Sequence, residues 1–145
     1  MQDRFRFRAW DKNNKRMLYN IENAYDFGCV EDEKGNEVED CYASCFSSFL
    51  PYDEEDENEE FIVEQCTGLK DKNGRLIYEG DVVKRHSKYS EEEKDVILQV
   101  EWNCKGGRYI TTDKKHDNWF FSMFEYEYEI LGNIHENPEL LEELK

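Results

Sequence analysis

Cys41 and Cys45 have three residues between them, a spacing found in zinc sites. Cys29, Cys66, His86 and His116 are the residues that could complete a ligand set. No second close Cys or His pair stands beside them, and Tyr42 and Phe46 give Cys41 and Cys45 apolar company. Buried free thiols are therefore expected, and no metal. From Asp53, acids fall at relative positions 1, 3, 5 and 7, with Glu64 at position 12, as in a calcium loop. Position 6 is Asn58 rather than the glycine such a loop requires, and no helix pair flanks it, so a solvated acidic loop is expected. Cys104 and Ser122 are candidate nucleophiles, with His86, His116 or His135 as base. Neither has a Gly-x-Ser-x-Gly elbow or a Cys-His signature around it. Glu125, Glu127 and Glu129 line one face of a strand, as carboxylates on any solvated strand do. Gly106-Gly107 lacks the pattern of a phosphate cradle. The expectation is no catalytic residue, no cofactor and no metal.

Charge narrows the choice of partners. The formal net charge is −16 and is unevenly spread. Residues 1–19 carry six basic and two acidic groups, whereas residues 20–66 carry one basic and sixteen acidic. Residues 67–115 are slightly positive, with eleven basic and nine acidic groups, and residues 116–145 are acidic again. Affinity for nucleic acid comes from Lys and Arg displacing counterions, so direct binding to it is disfavoured overall. Two segments remain candidates for contact with a partner. Arg4, Arg6 and Arg8 share one face of a strand with Trp10, and that face suits nucleic acid or an acidic surface. The sixteen acids of residues 20–66 offer the same arginines internal partners, the reading the charge balance favours. Asp53, Glu54, Glu55, Asp56 and Glu57 are the core of the acidic block and form the second candidate surface.

Strands and turns must position these groups. Nine Phe, nine Tyr and three Trp favour β structure. Residues 4–10 alternate strictly, with Phe5, Phe7 and Ala9 on one face, and Lys15–Tyr19 pairs back as a hairpin. Between residues 20 and 50 the pattern is less legible, with a short strand ending at Gly28 and a strand or short helix over Cys41–Leu50. A strand at Phe61–Cys66 delivers the chain into residues 67–84. There Asn73-Gly74 is a turn signal in which both residues accept positive φ, Leu76–Tyr78 is extended, and Glu79-Gly80-Asp81 is a second tight turn. Strands are expected at 82–85, 96–102 and 108–111, with a polar excursion at 86–95. Residues 119–124 form a compact apolar cluster, and a last strand ends near Ile134. Pro138 opens a short helix with Asn137 as its N-cap. Short strands and tight turns from residue 67 onward suggest a small SH3-like barrel, which leaves no free edges.

Three segments in order carry a resemblance. They are Phe5-Arg-Phe-Arg-Ala-Trp-Asp with Lys15-Arg-Met-Leu-Tyr, then Thr67-Gly-Leu-Lys-Asp-Lys-Asn-Gly-Arg-Leu-Ile-Tyr-Glu-Gly-Asp-Val-Val, then Ile130-Leu-Gly-Asn-Ile-His-Glu-Asn-Pro-Glu-Leu-Leu. Together they resemble the YopX family of phage and prophage proteins. The resemblance implies a mostly β fold, a bacterial or phage setting and a tendency to homo-oligomerise. It supplies no catalytic residues.

The fold class expected is mainly β with minor α. It comprises an N-terminal β-hairpin lobe and acidic segment (1–66), a C-terminal SH3-like small barrel (67–145) and a short C-terminal helix, in one compact unit. The function expected is that of a phage or prophage accessory protein: a non-enzymatic, cytoplasmic module that binds a macromolecule, in the first place a phage or host protein. Two alternatives stay open. One is an acidic nucleic-acid mimic that occupies the basic groove of a host DNA-binding or defence protein. The other is single-stranded nucleic-acid binding through the barrel, by Trp102 and Tyr109 with Lys84, Arg85, Lys88, Lys105 and Arg108. No run approaches the length of a membrane span.

Overall fold

The alternating N-terminal segment forms the first hairpin in a computed structural model of the chain, which describes residues 5–25, 28–41, 45–50, 60–113 and 119–144. Strand β1 is Phe7–Asp11 and β2 is Arg16–Tyr19, paired antiparallel with Arg8 opposite Tyr19. Asp11 shapes the turn between them. Its Oδ1 accepts the backbone N–H groups of Asn13 and Asn14 at 3.1 and 3.2 Å. On its other side β1 pairs antiparallel with β3, Phe61–Lys70, which places Arg8 opposite Glu64. The chain divides into two units, residues 1–66 and 67–145.

In the first unit, Ala9, Leu18, Ile21, Ala24, Val30, Cys41 and Phe49 form the core, with Phe7, Phe46, Phe61 and Val63 packed against it. Ala9, Leu18 and Val63 lie on one sheet face because they are register partners. The expectation that Phe5 joins this face is corrected. Phe5 precedes β1 and is 58% exposed. A second correction concerns the opposite face, since Arg8, Met17, Glu64 and Cys66 are buried as well. Period-two reasoning expects one wet face, but Glu64 neutralises Arg8 and removes the need for water there. In place of a strand before Gly28 the chain makes a 3-10 turn at Ile21–Asn23, and another at Phe46–Phe49.

The second half of β3 belongs to the second unit and neighbours β4, Leu76–Tyr78. The turn between them closes with Gly74 N–H donating to Asp71 O at 3.0 Å. Only Gly74, at φ +82°, takes the left-handed region; Asn73 does not. The turn is thus one in which a single glycine carries the positive φ, rather than one where both central residues do. Strands β5 (Asp81–Ser87), β6 (Val96–Asn103), β7 (Arg108–Thr112), β8 (Trp119–Phe120) and β9 (Tyr126–Asn133) form an antiparallel sheet in the order β8-β7-β6-β5-β9. Its core is Ile77, Val83, Leu98, Val100 and Tyr128.

This sheet stops short of the closed barrel expected. Strand β8 is two residues long and pairs with β7, while β9 pairs with β5 and with no other strand of the sheet. The outer edge of β9 finds other partners. Tyr126 N–H donates to Ser122 O, Tyr128 O accepts from Lys72 N–H, and Ile130 N–H donates to the Asp71 carboxylate. With those groups satisfied, closure is not required to protect the edge. The C-terminal helix is also corrected. Pro138–Leu144 is 3-10, with Leu140 N–H donating to Asn137 O three residues back. The Asn137 Nδ2 donates to Glu139 Oε1 at 3.4 Å, while its Oδ1 accepts the Asn133 N–H at 3.2 Å rather than an N–H of this segment. That contact seats Asn137 and Leu140 directly over Gly132, where a Cβ would collide with the Asn137 side chain.

Candidate interaction surfaces

The residues of the expected arginine face have different fates. Arg8 is 3% exposed, and its Nε lies 2.9 Å from Glu64 Oε1. Trp10 is half-buried, and Arg6 is exposed while its carbonyl accepts the Cys66 N–H. Arg4 lies outside the described residues, as do Asp53, Glu54, Glu55, Asp56 and Glu57. The segment therefore presents no row of three arginines, since Arg8 points into the protein.

A polar cavity of about 460 Å³ in the first unit is lined by Asp11, Asn13, Asn14, Arg16, Asp40 and Glu60, among others. Arg16 organises it. Its Nη1 donates to Asp40 Oδ1 at 2.8 Å, and its Nε lies 3.4 Å from Asp11 Oδ2. Burial works against the Arg16 charge, but Asp40 and then Asp11 outweigh it and push its pKa up. The hydrogen bond from Arg16 holds the Asp40 carboxyl below the usual carboxylate range. Cys41 lines the cavity but is buried, whereas Cys45 is exposed, with its Sγ 3.0 Å from Ser47 Oγ. Among the described residues no three His, Cys, Asp or Glu side chains are grouped to hold a metal ion.

On the second unit, the register of β5 with β9 sets Lys84 opposite Glu129 and His86 opposite Glu127. Glu129 Oε2 lies 3.2 Å from Lys72 Nζ and 3.4 Å from Lys84 Nζ. Lys72 first, then Lys84, hold the Glu129 carboxyl below its ordinary value. His86 belongs to β5 rather than to a loop, and its Nδ1 is 2.6 Å from Asp95 Oδ1. That hydrogen bond lowers the Asp95 pKa. The opposite side of the same strands carries Arg85, whose guanidinium sits 4.1 Å over the Tyr126 ring. Tyr126 in turn donates its hydroxyl to Glu93 at 3.0 Å.

Two pairs of aromatic rings meet solvent on this unit. Tyr89 and Phe124 are 72% and 76% exposed, with ring centroids 5.9 Å apart. Trp102 and Tyr109 are direct cross-strand partners with centroids 4.9 Å apart in edge-to-face geometry, and Trp102 is half-exposed. Sequence reasoning singled out Trp102 and Tyr109 but not Tyr89 and Phe124. The first of these lay in a polar excursion and the second in an apolar cluster. The available signal was the Glu125 that follows Phe124, which marks the end of the apolar run.

A family model described as YopX protein matches residues 6–142. The chain belongs to the YopX family. Its members are phage and prophage proteins. Protein EF1440 from Enterococcus faecalis, known from a crystal structure, is 26% identical, with a TM-score of 0.59 over 94% of this chain and 96% of that one. Protein yopX from Bacillus subtilis, also known from a crystal structure, is 17% identical, with a TM-score of 0.54 over 95% of this chain and 98% of that one; this likeness shows the fold. No curated protein matches the chain. The YopX architecture is thus mainly β, with two sheets and, among the described residues, no helix long and apolar enough to cross a membrane.

Within this YopX chain the cations proposed to track a nucleic-acid backbone are largely engaged. Lys84 pairs with Glu129, and Arg85 lies over Tyr126 with its Nη2 3.7 Å from Glu93. Lys88 Nζ donates to Met123 O at 2.7 Å. Lys105 and Arg108 flank the β6–β7 turn and are exposed.

The depressed carboxylates give an acid limb to stability. His86 holds the folded pKa of Asp95 below its ordinary value, and Lys72 with Lys84 does the same for Glu129. Their contribution is complete above the unfolded values and is lost as pH falls through the folded ones. The denaturant midpoint should therefore hold from neutral pH down to the ordinary carboxylate range and fall below it. Asp95→Asn and Glu129→Gln should each make that fall shallower. Chemical denaturation between neutral and strongly acidic pH measures it, and an unchanged slope in both variants would remove these two pairs as the cause.

Proposed function

We propose that this YopX-family chain is a non-enzymatic protein-binding module, a phage or prophage accessory protein acting in the bacterial cytoplasm. One observation carries the reading: on the second unit Tyr89, Phe124 and Trp102 are held exposed, each against another aromatic ring, while Ile77, Val83, Leu98, Val100 and Tyr128 are packed inside. Exposed Tyr, Trp and Phe carry a disproportionate share of binding energy at protein interfaces, because they bring large area with few rotamers. Direct nucleic-acid binding is disfavoured by the net charge of −16, and by the internal partners of Lys84, Arg85 and Lys88. The nucleic-acid mimic rests on residues 53–57, which lie outside the described residues and add no support. Affinity capture from a host lysate with the full chain should recover a protein at stoichiometric yield, and nuclease treatment should not release it. Recovery of nucleic acid alone, or of no stoichiometric protein, would overturn the reading.

A further inference from the structure

We infer that the Tyr89–Phe124 surface is the docking site, and that its occupant is a basic protein segment carrying an apolar anchor beside Lys or Arg. The inference rests on the protein-binding reading and goes further by naming the surface and the chemistry of the partner.

The rings are exposed by construction. Lys88 ties the two loops together, with its N–H donating to Glu125 O at 2.9 Å and its Nζ to Met123 O at 2.7 Å. Between these anchors Met123 is half-buried against the core while Phe124 points outward. On the neighbouring strands, Arg85, Tyr126 and Glu93 form a second clasp between the 88–95 loop and β9. Three hydrogen bonds and a cation–π contact thus hold Tyr89 beside Phe124 with most of both rings in water. A solvent-exposed aromatic pair on a pinned frame is the arrangement of a binding anchor rather than of a mobile tip.

Charge selects the occupant. Residues 88–95 and 121–127 carry six acids against two lysines, Lys88 and Lys94; of the six, Asp95 and Glu127 line the Lys84–His86 side of β5 and β9, with Asp95 engaged by His86. Glu93 is engaged by Tyr126, whereas Glu91, Glu92 and Glu125 are exposed next to the two rings in the chain. Carboxylates around aromatic faces complement a cation, which gains a charge partner and a ring face together. The same acids repel a phosphate backbone. They also repel a second copy of this acidic surface, so an isologous dimer through the patch is disfavoured.

The test uses the full chain and two short peptides, one alternating arginine with leucine and one alternating glutamate with leucine, followed by amide NMR. The basic peptide should bind saturably, with shifts concentrated at residues 86–95 and 121–127, and the acidic peptide should not bind. Tyr89→Ser with Phe124→Ser should weaken the basic peptide about tenfold or more, as loss of a hot-spot pair does. Glu91→Lys with Glu92→Lys and Glu125→Lys should abolish it and leave both rings in place. Shifts centred elsewhere, equal binding of both peptides, or unaltered affinity in the double serine variant would each overturn the inference. A stoichiometric host protein still captured at full yield by that variant would overturn it too, and would leave the protein-binding reading standing. Failure of the unaltered chain to capture any protein would instead remove the broader reading.

Discussion

Replacing Arg8 with methionine is expected to remove about 3–5 kcal/mol of folding stability, because it takes from the buried Glu64 carboxylate the guanidinium 2.9 Å away. Arg8 occupies the middle of the central strand β1, between Tyr19 of β2 and Glu64 of β3. Both Arg8 and Glu64 are nearly inaccessible, at 3% and 4% exposure, and their charged atoms meet at 2.9 Å. An ionised group in such a place depends on the opposite charge, since water cannot replace it. Glu64→Leu alone should cost a similar amount by taking the carboxylate from beside the buried guanidinium. The double variant Arg8→Met with Glu64→Leu should recover most of the loss, because two apolar side chains of similar size need no pairing. Guanidinium denaturation of the four proteins closes the cycle and yields the coupling energy. A double variant as weak as the sum of the two single ones would show that the pair is not the cause.

This pair also bears on function. An arginine row at the N-terminus reads as a recognition surface when only its own alternation is considered. Register with β3 brings Glu64 against Arg8, and the residue becomes part of the framework. The exposed ring pair of Tyr89 and Phe124 lies instead on the second unit.

Local chemistry was legible in the sequence and distant pairing was not. The β1–β2 hairpin follows from strict alternation and a polar turn, and β5, β6 and β7 follow from β-branched runs bounded by turn residues. Burial of both faces of β1 could not be read there, because it depends on a residue 56 positions away. The open sheet was hidden for the same reason: the edge of β9 is covered by the 71–75 turn rather than by a strand, a non-local fact. The Pro138 segment begins as a helix should, but the Asn137 Oδ1 that would cap it accepts from Asn133 N–H instead. Of the candidate site, Trp102 and Tyr109 were legible as aromatics in a hairpin with basic neighbours. Tyr89 and Phe124 meet across 35 residues of chain, and no local pattern announces that contact.

Replacing Asp71 with alanine should have the second largest effect, about 3 kcal/mol, because one carboxylate serves three backbone donors. Its Oδ1 accepts Asn73 N–H and Arg75 N–H, both at 2.9 Å, and its Oδ2 accepts Ile130 N–H at 3.1 Å. The first two bonds build the turn between β3 and β4. The third ties that turn to β9 next to the register shift, where Val83 faces Ile130 and Val82 faces Gly132. Asp71→Asn separates the two roles. An amide keeps one acceptor oxygen for the turn but sets its NH₂ against the Ile130 donor, so the turn should survive while the tie to β9 fails. Hydrogen exchange reads each role on its own amide. In the asparagine variant Arg75 should stay protected and Ile130 should exchange faster; in the alanine variant both should speed up. Equal protection of Ile130 in the unaltered and asparagine proteins would show that the strand does not depend on Asp71. The tie also covers part of an eight-residue edge strand, so losing it should expose unpaired groups to other chains. Concentration-dependent association of the Asp71→Ala protein, absent from the parent under the same conditions, is the expected result in sedimentation.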